Sequence, residues 1–332
     1  VTTYILIDTQ NLFMRVRHGV KAPDSDQQFQ LALHIVFNSI KKVWNQFDAT
    51  HTVFCLEGRS WRKDVYGPYK ANRKVAAMNR TPREIEEDKN FFEVMDHFIQ
   101  FIKNQTNCTM LRHPNAEADD MIARWIDLHP NDQHIIISSD SDFQQLIASN
   151  VKIYNGIAGL LYTTEGIYDK DGNIAKNKKG NDLPKPDPEW FLFEKCMRGD
   201  DGDNVMSAYP GVRTKKLQEA YADRHTKGFA WNNIMLSKWT DHENQDHRVK
   251  DDYERNRLLI DLRLQPADLI EKWDQTIAES IVTEHKKQVG IALMKFCNLH
   301  GLVRIEKAVQ EFSPCLSSFY AGPLLEVKNP AV

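Results

Sequence analysis

Acidic residues recur in this chain wherever a short apolar run ends. Asp8 follows the run 4–7 and Glu57 the run 52–56. Asp140 and Asp142 follow Ile135, Ile136 and Ile137. Glu117, Asp119 and Asp120 precede a helical pattern opened by Met121 and Ile122, and Asp200 and Asp203 lie in a Gly-Asp-Asp-Gly-Asp-Asn turn. Singly, each reads as a helix cap or a surface group, because acids are favoured at the positive end of a helix. Jointly, so many like charges require cations, and hard ions such as Mg²⁺ take carboxylate oxygen and water. More than one ion is implied, and a pair roughly 3.5–4 Å apart forms the clamp used for in-line displacement at phosphorus. The chemistry expected is phosphodiester hydrolysis, in which the protein positions groups and neutralises charge. No Ser/His or Cys/His grouping competes, and His113 and His134 read as ordinary loop or surface residues. A calcium loop at 200–204 lacks the ligand spacing and closing glutamate of an EF-hand.

The elements that must carry these acids alternate. Strands are expected at 4–7, 52–56, 108–111, 134–138 and 151–154, with helices over 28–47 and 81–103 and from 117 onward. Thr81, Pro82 and Glu84 give the second of these helices a capping box with proline at its first position. The alternation predicts an α/β fold, a mainly parallel sheet with helices on both faces. Residues 155–186 read as loop and hairpin. Beyond 205 the pattern is helical, with helices expected near 229–239, 249–263, 266–280 and 283–299. The division expected is a nuclease-type domain over 1–204 and a helical duplex-binding domain over 205–332.

Residues 59–83 differ in character. Arg59, Arg62, Lys63, Lys70, Arg73, Lys74, Arg80 and Arg83 stand against one acid, Asp64, and are interleaved with Trp61, Tyr66 and Tyr69. Cations attract phosphate and aromatic rings stack bases, the combination expected of a single-strand channel. Further on, residues 209–217 read as helix, tight turn and helix, with Arg213, Lys215 and Lys216 at the second helix start. Amides at a helix start grip phosphate oxygens without reading bases.

The chain has 332 residues, 41% apolar and 27% charged, enough for a large core. A net charge of -3 argues against nucleic-acid binding by bulk charge, while a local basic surface stays open. Five scattered cysteines suit a reducing compartment and offer no disulfide framework or zinc site. No apolar run is long enough to span a bilayer, so a soluble, cytoplasmic protein is expected.

Taken together, Ile7-Asp8, Glu117-Ala118-Asp119-Asp120, Ser138-Ser139-Asp140-Ser141-Asp142-Phe143 and Gly199-Asp200-Asp201-Gly202-Asp203-Asn204 resemble the 5′-nuclease superfamily. This includes flap endonucleases, the 5′-nuclease domain of bacterial DNA polymerase I and phage 5′-exonucleases. Trp61-Arg62-Lys63-Asp64, Tyr69-Lys70-Ala71-Asn72-Arg73 and residues 256–262 resemble the T-even phage ribonuclease H branch. The resemblance implies a PIN-like domain, two Mg²⁺ ions with Mn²⁺ as a substitute, and removal of RNA primers or flaps from 5′ ends during replication. It implies a basic arch over 59–83, with Lys70 and Arg73 at the scissile phosphate and Tyr69 as a stacking platform. Asp8, Glu57, Glu117 and Asp119 would surround the first metal with Asp120 close by. Asp140, Asp142, Asp200 and Asp203 would hold the second, partly through water. Two positions depart from the family pattern. Glu57 stands where aspartate is usual, so its carboxylate reaches further. Arg213 replaces a glycine of the helical hairpin, which weakens the case for a K⁺ ion there.

The partners implied are 5′-flapped, nicked or forked DNA and RNA–DNA hybrid, together with replication proteins such as a single-strand-binding protein or a clamp. A monomer in a phage-infected bacterial cell is expected. Alternatives are a PIN-type single-strand ribonuclease, which would not need the region after 205, and a non-catalytic DNA-structure-binding protein with a structural ion. A haloacid-dehalogenase phosphatase needs a second aspartate where this chain has Gln10.

Overall fold

The computed structural model describes residues 1–19 and 25–322. By internal contacts it forms two compact units: Val1–Arg59, Thr81–Pro186 and Gln265–Val332 in one, Ser60–Arg80 and Asp187–Leu264 in the other. The contacts therefore divide the chain elsewhere than at 204/205. The basic stretch groups with the second unit, and the chain from 265 onward rejoins the first. Leu293, Phe296 and Phe312 explain this rejoining, since they are buried in the same apolar core as Ile5, Phe37, Phe54 and Phe98.

The first unit is built on seven strands: β1 (Thr3–Asp8), β2 (His51–Cys55), β3 (Thr109–Leu111), β4 (Gln133–Ile137), β5 (Val151–Asn155), β6 (Leu160–Tyr162) and β7 (Ile167–Tyr168). Their order is β3-β2-β1-β4-β5-β6-β7. Strands β1 to β5 pair in parallel, and β6 and β7 add an antiparallel edge. Residues 4–8 and 51–55 are buried throughout, as expected where helices cover both faces of a parallel sheet. After β3 the chain returns to the other side of β1, so the topology reverses between β1 and β4. Crevices at such points, beyond the carboxyl ends of the strands, are where sites form.

The helix Pro82–Gln105 starts with the expected capping box: Thr81 N–H donates to Glu84 Oε2 at 2.7 Å, and Glu84 N–H to Thr81 Oγ at 3.3 Å. His134 and His113 correct the surface expectation, being 0% and 8% exposed. His134 Nε2 donates to the His129 carbonyl at 2.9 Å, and its ring stacks on Tyr4 at 5.7 Å.

The second unit packs the helices Pro188–Arg198, Thr214–Ala222, Phe229–Met235 and Val249–Ile260 around Phe193, Met197, Leu217, Ile234 and Val249. A helix expected to 239 ends at Met235, and Lys238–Thr240 pairs with Asp246–Arg248 as a β-hairpin. The hairpin closes because the Asp241 carboxylate accepts from the Glu243 and Gln245 amides. Residues 209–212 are a turn rather than a helix, with Gly211 at φ +69°. Among the described residues no helix is long and apolar enough to cross a membrane.

Candidate metal centre and the basic segment

Parallel pairing sets Asp8 opposite Cys55 and Ile7 opposite Ile137, so the ends of β1, β2 and β4 stand level. Adjacent strands lie about 4.8 Å apart, so acids at these ends become neighbours. Asp8 is 5% exposed, and burial, then Glu57, then Asp140, push its carboxyl up to about 8. Ser138 donates its hydroxyl to Asp8 Oδ2 at 3.0 Å, and the Asn11 amide donates to Oδ1 at 3.3 Å. Neither bond overcomes the burial and repulsion.

Glu57 is brought to the next acids by its neighbour Gly58. The Gly58 amide donates to the Ala116 carbonyl at 2.8 Å, and the Arg59 amide to that of Pro114 at 2.9 Å. A Cβ at position 58 would lie 2.1 Å from the His113 carbonyl oxygen, so only glycine fits. The Ala118 amide then donates to Glu57 Oε2 at 3.3 Å. Glu117 occupies the N-cap of the helix Ala118–Leu128, and its amide donates to Asp120 Oδ2 at 3.0 Å. Carboxylate oxygens of Glu117, Asp119 and Asp120 lie within 4.8 Å of one another. Asp140 caps the short turn Ser141–Leu146, accepting from the Asp142 amide at 3.0 Å.

An arc of carboxylates thus runs from Asp142 and Asp140 through Asp8 and Glu57 to Glu117, Asp119 and Asp120, all in the first unit. Crowded oxygen ligands, with Asp8, Glu117 and Asp120 buried, fit a divalent cation, which would relieve the repulsion at Asp8. Sequence reasoning gave no role to Ser138 or Asn11, which hold Asp8. It also missed Arg124, which grips Asp274 through two bonds of 2.5 and 2.7 Å and ties this helix to Ala267–Ser280. Nothing local marks a partner 150 residues away.

Asp200 and Asp203 belong to the second unit. Asp200 and Val205 exchange backbone hydrogen bonds of 2.8 Å, closing a tight loop. Gly199, at φ +79°, permits the closure, since a Cβ there would lie 2.3 Å from the Val205 carbonyl. Burial opposes ionisation of Asp200, yet Lys195 at 2.7 Å and the loop amides hold its carboxyl below the usual range. Asp203 accepts from the Tyr69 hydroxyl at 2.9 Å and Arg73 at 2.8 Å, with the Lys70 ammonium at 3.5 Å. The Lys70 amide donates to the Asp203 carbonyl, and the Asn72 side chain to that of Asp201. Lys70 holds φ +55°, so the segment turns sharply into the helix Ala71–Met78.

Two expectations for the basic segment are corrected. Tyr69 is 3% exposed and packs against Cys196, Val205 and Leu259, so its ring offers no face for base stacking. Arg62 is 1% exposed and donates to the Leu259 carbonyl at 2.7 Å, which makes it a structural cation. Arg59, Lys74, Arg213 and Lys215 are exposed and Lys63 is half-buried. Lys216 is half-buried beside the Tyr209 hydroxyl at 3.3 Å. Arg213 caps the helix Thr214–Ala222 without a side-chain bond, leaving its cation outward.

An open parallel sheet with crowded acids beyond its central strands is the plan of a metal-dependent nuclease. Residues 3–176 match the family model described as 5′-3′ exonuclease, N-terminal resolvase-like domain. The chain belongs to this family of nucleases.

The flap endonuclease of Escherichia phage T5 is 26% identical over 64% of this chain and 67% of its own length. The 5′-3′ exonuclease of Bacillus subtilis is 26% identical over 53% and 52%. The DNA polymerase I of Rhizobium leguminosarum is 28% identical over 52% of this chain and 15% of its own length. Among solved structures, T5 5′-exonuclease with bound zinc shares the fold at a TM-score of 0.57 and 19% identity, over 94% of this chain and 99% of that one.

Proposed function

We propose that this protein is a Mg²⁺-dependent 5′-to-3′ nuclease that acts on flapped or nicked DNA and on RNA–DNA hybrid, removing RNA primers and 5′ flaps during replication. The observation that carries the reading is the convergence of acids beyond adjacent parallel strands: buried Asp8 ends β1 beside Glu57 and Asp140, and carboxylate oxygens of Glu117, Asp119 and Asp120 lie within 4.8 Å of one another. Seven carboxylates in one arc support two ions, as the clamp chemistry requires. Metal bound there would supply an activated water and stabilise the leaving oxygen. The chain's own part is to hold those oxygens rigidly: Ser138 and Asn11 orient Asp8, the Ala118 amide orients Glu57, and the Asp120 carboxylate is fixed against the Glu117 amide.

DNA as substrate is supported by the relatives' names and by a related T5 flap endonuclease structure in complex with DNA and metal ions. Lys70 and Arg73 are proposed to meet the scissile phosphate, with Arg59, Lys63 and Lys74 along the single strand and Arg213, Lys215 and Lys216 on the duplex. Exposure of Arg59, Lys74, Arg213 and Lys215 agrees with that use.

The test is a 5′-labelled flap and an RNA–DNA hybrid assayed with and without Mg²⁺. Cleavage that proceeds fully in excess EDTA overturns the reading. So does cleavage confined to single-stranded RNA.

A further inference from the structure

On the face of the sheet covered by the helix Ser25–Gln46 lies a cavity of about 1000 Å³, within the first unit. It extends along that helix from Gln27 to Lys42, about 22 Å at 1.5 Å per residue. Its apolar lining includes Ile35, Ile305, Ala308 and Phe312, and amide side chains come from Gln30 and Asn38. Three cations line it, Lys41, Lys42 and Arg304, and among the described residues no carboxylate does. Lys41 is engaged by Glu311 at 2.9 Å. Among the described residues, Lys42 and Arg304 have no carboxylate partner. Lys42 stands over the Tyr154 ring at 5.1 Å. His34 is held below its usual range by burial and by Arg304, so it adds no charge at neutral pH.

We infer that this cavity is a docking site for an acidic peptide segment with interspersed large aliphatic residues, supplied by a partner protein. An apolar floor under uncompensated cations and amides suits such a chain. Successive side chains of an extended peptide point to opposite sides, so leucines can face Leu31 and Ile35 while carboxylates face Lys42 and Arg304. Seven extended residues span about 23 Å, matching the cavity's length. Nucleic acid fits less well. Tyr154 and Phe312 are 5% and 3% exposed, so no ring face is open for a base. Two free cations are also few for a phosphate backbone. The inference is independent of the nuclease reading.

The probe is a fluorescein-labelled heptapeptide alternating leucine and aspartate, followed by fluorescence anisotropy on the full chain. Controls are the same peptide with asparagine for aspartate and a labelled oligo(dT) of seven nucleotides. The expected result is saturable binding of the acidic peptide only. Lys42→Glu with Arg304→Glu should weaken it about tenfold or more, since like charges would then face each other. Ala308→Trp, which fills the floor, should weaken both the acidic peptide and any residual asparagine-peptide binding. Both residues of the charge-reversal variant lie outside the acidic arc, so its flap cleavage should match the parent. Equal affinity of the parent and the charge-reversed chain overturns the inference, as does absence of binding at low salt. Oligo(dT) that displaces the peptide in the parent and loses affinity in the charge-reversed chain overturns it in favour of nucleic acid.

Discussion

The Tyr69 hydroxyl donates to the Asp203 carboxylate across 2.9 Å, joining residues 134 positions apart. Arg73 and Lys70 close on the same carboxylate, so one acid organises the basic segment of the second unit. The buried ring of Tyr69 sets where the following turn begins, and the turn presents Lys70 and Arg73.

Tyr69→Phe should therefore cost about 1.5 kcal/mol of stability, the worth of a hydrogen bond to a charged group. Lys70→Ala should slow cleavage more than it weakens substrate binding. Single-turnover rates and binding isotherms on a flap substrate separate the two effects. Equal loss in both for Lys70→Ala would count against a role at the reacting phosphate.

Asp8→Asn should abolish Mg²⁺-dependent cleavage and yet stabilise the metal-free fold. The sign follows from the raised carboxyl, near 8 in the folded chain against an ordinary 3.8. The stability Asp8 contributes is fully present below about 3.8 and is lost as pH rises through about 8. At pH 8 in EDTA the asparagine variant should gain about 1–3 kcal/mol, allowing for relaxation of the site. Urea titrations at pH 5 and pH 8 test this, since the gain should shrink at the lower pH. Asp142→Asn, in the same arc, should likewise abolish cleavage while leaving duplex binding intact.

Gly58→Ala should be severe although only one carbon is added. The new Cβ meets backbone oxygen at 2.1 Å, and backbone cannot swing aside as a side chain can. A loss of about 2–4 kcal/mol is expected, with a higher Mg²⁺ requirement because Glu57 moves away from the Ala118 amide. Thermal melts with and without Mg²⁺ read both. An unchanged melting temperature would show that the strand end tolerates displacement.

Acid should unfold the first unit through a histidine cluster beneath the sheet. Burial lowers His51 and His134 to about 4, and His129 is lowered as well. A depressed histidine contributes stability above its ordinary value near 6.5, lost as pH falls from there through about 4. His51 and His134 should each contribute about 2 kcal/mol at neutral pH. Circular dichroism between pH 7 and 4 should show this loss, and His134→Gln should move the midpoint to lower pH.

Much of the site could be read without coordinates because strand-end chemistry is local. The apolar runs 4–7 and 135–137 announce buried parallel strands, and the acids that follow, Asp8 directly and Asp140 after two serines, must emerge at the carboxyl edge. The capping box at Thr81 and Glu84 was legible for the same reason, since its partners are three residues apart. The hairpin at 238–248 was not, because its short strands carry no alternating pattern strong enough to stand out from helix. His134 was misplaced because its burial is settled by His129 and Tyr4, which periodicity does not reveal.

Residue order alone thus settles which chemical groups this nuclease possesses and which strand or turn delivers each. Folding settles which of those groups meet. Asp8 acquires its raised carboxyl only when packing buries it and Glu57 and Asp140 close around it, and Tyr69 becomes a buried anchor only when the loop after Gly199 reaches it. Coulomb energy and desolvation depend on separation in space and on exclusion of water. Neither quantity exists for a chain until distant segments have packed.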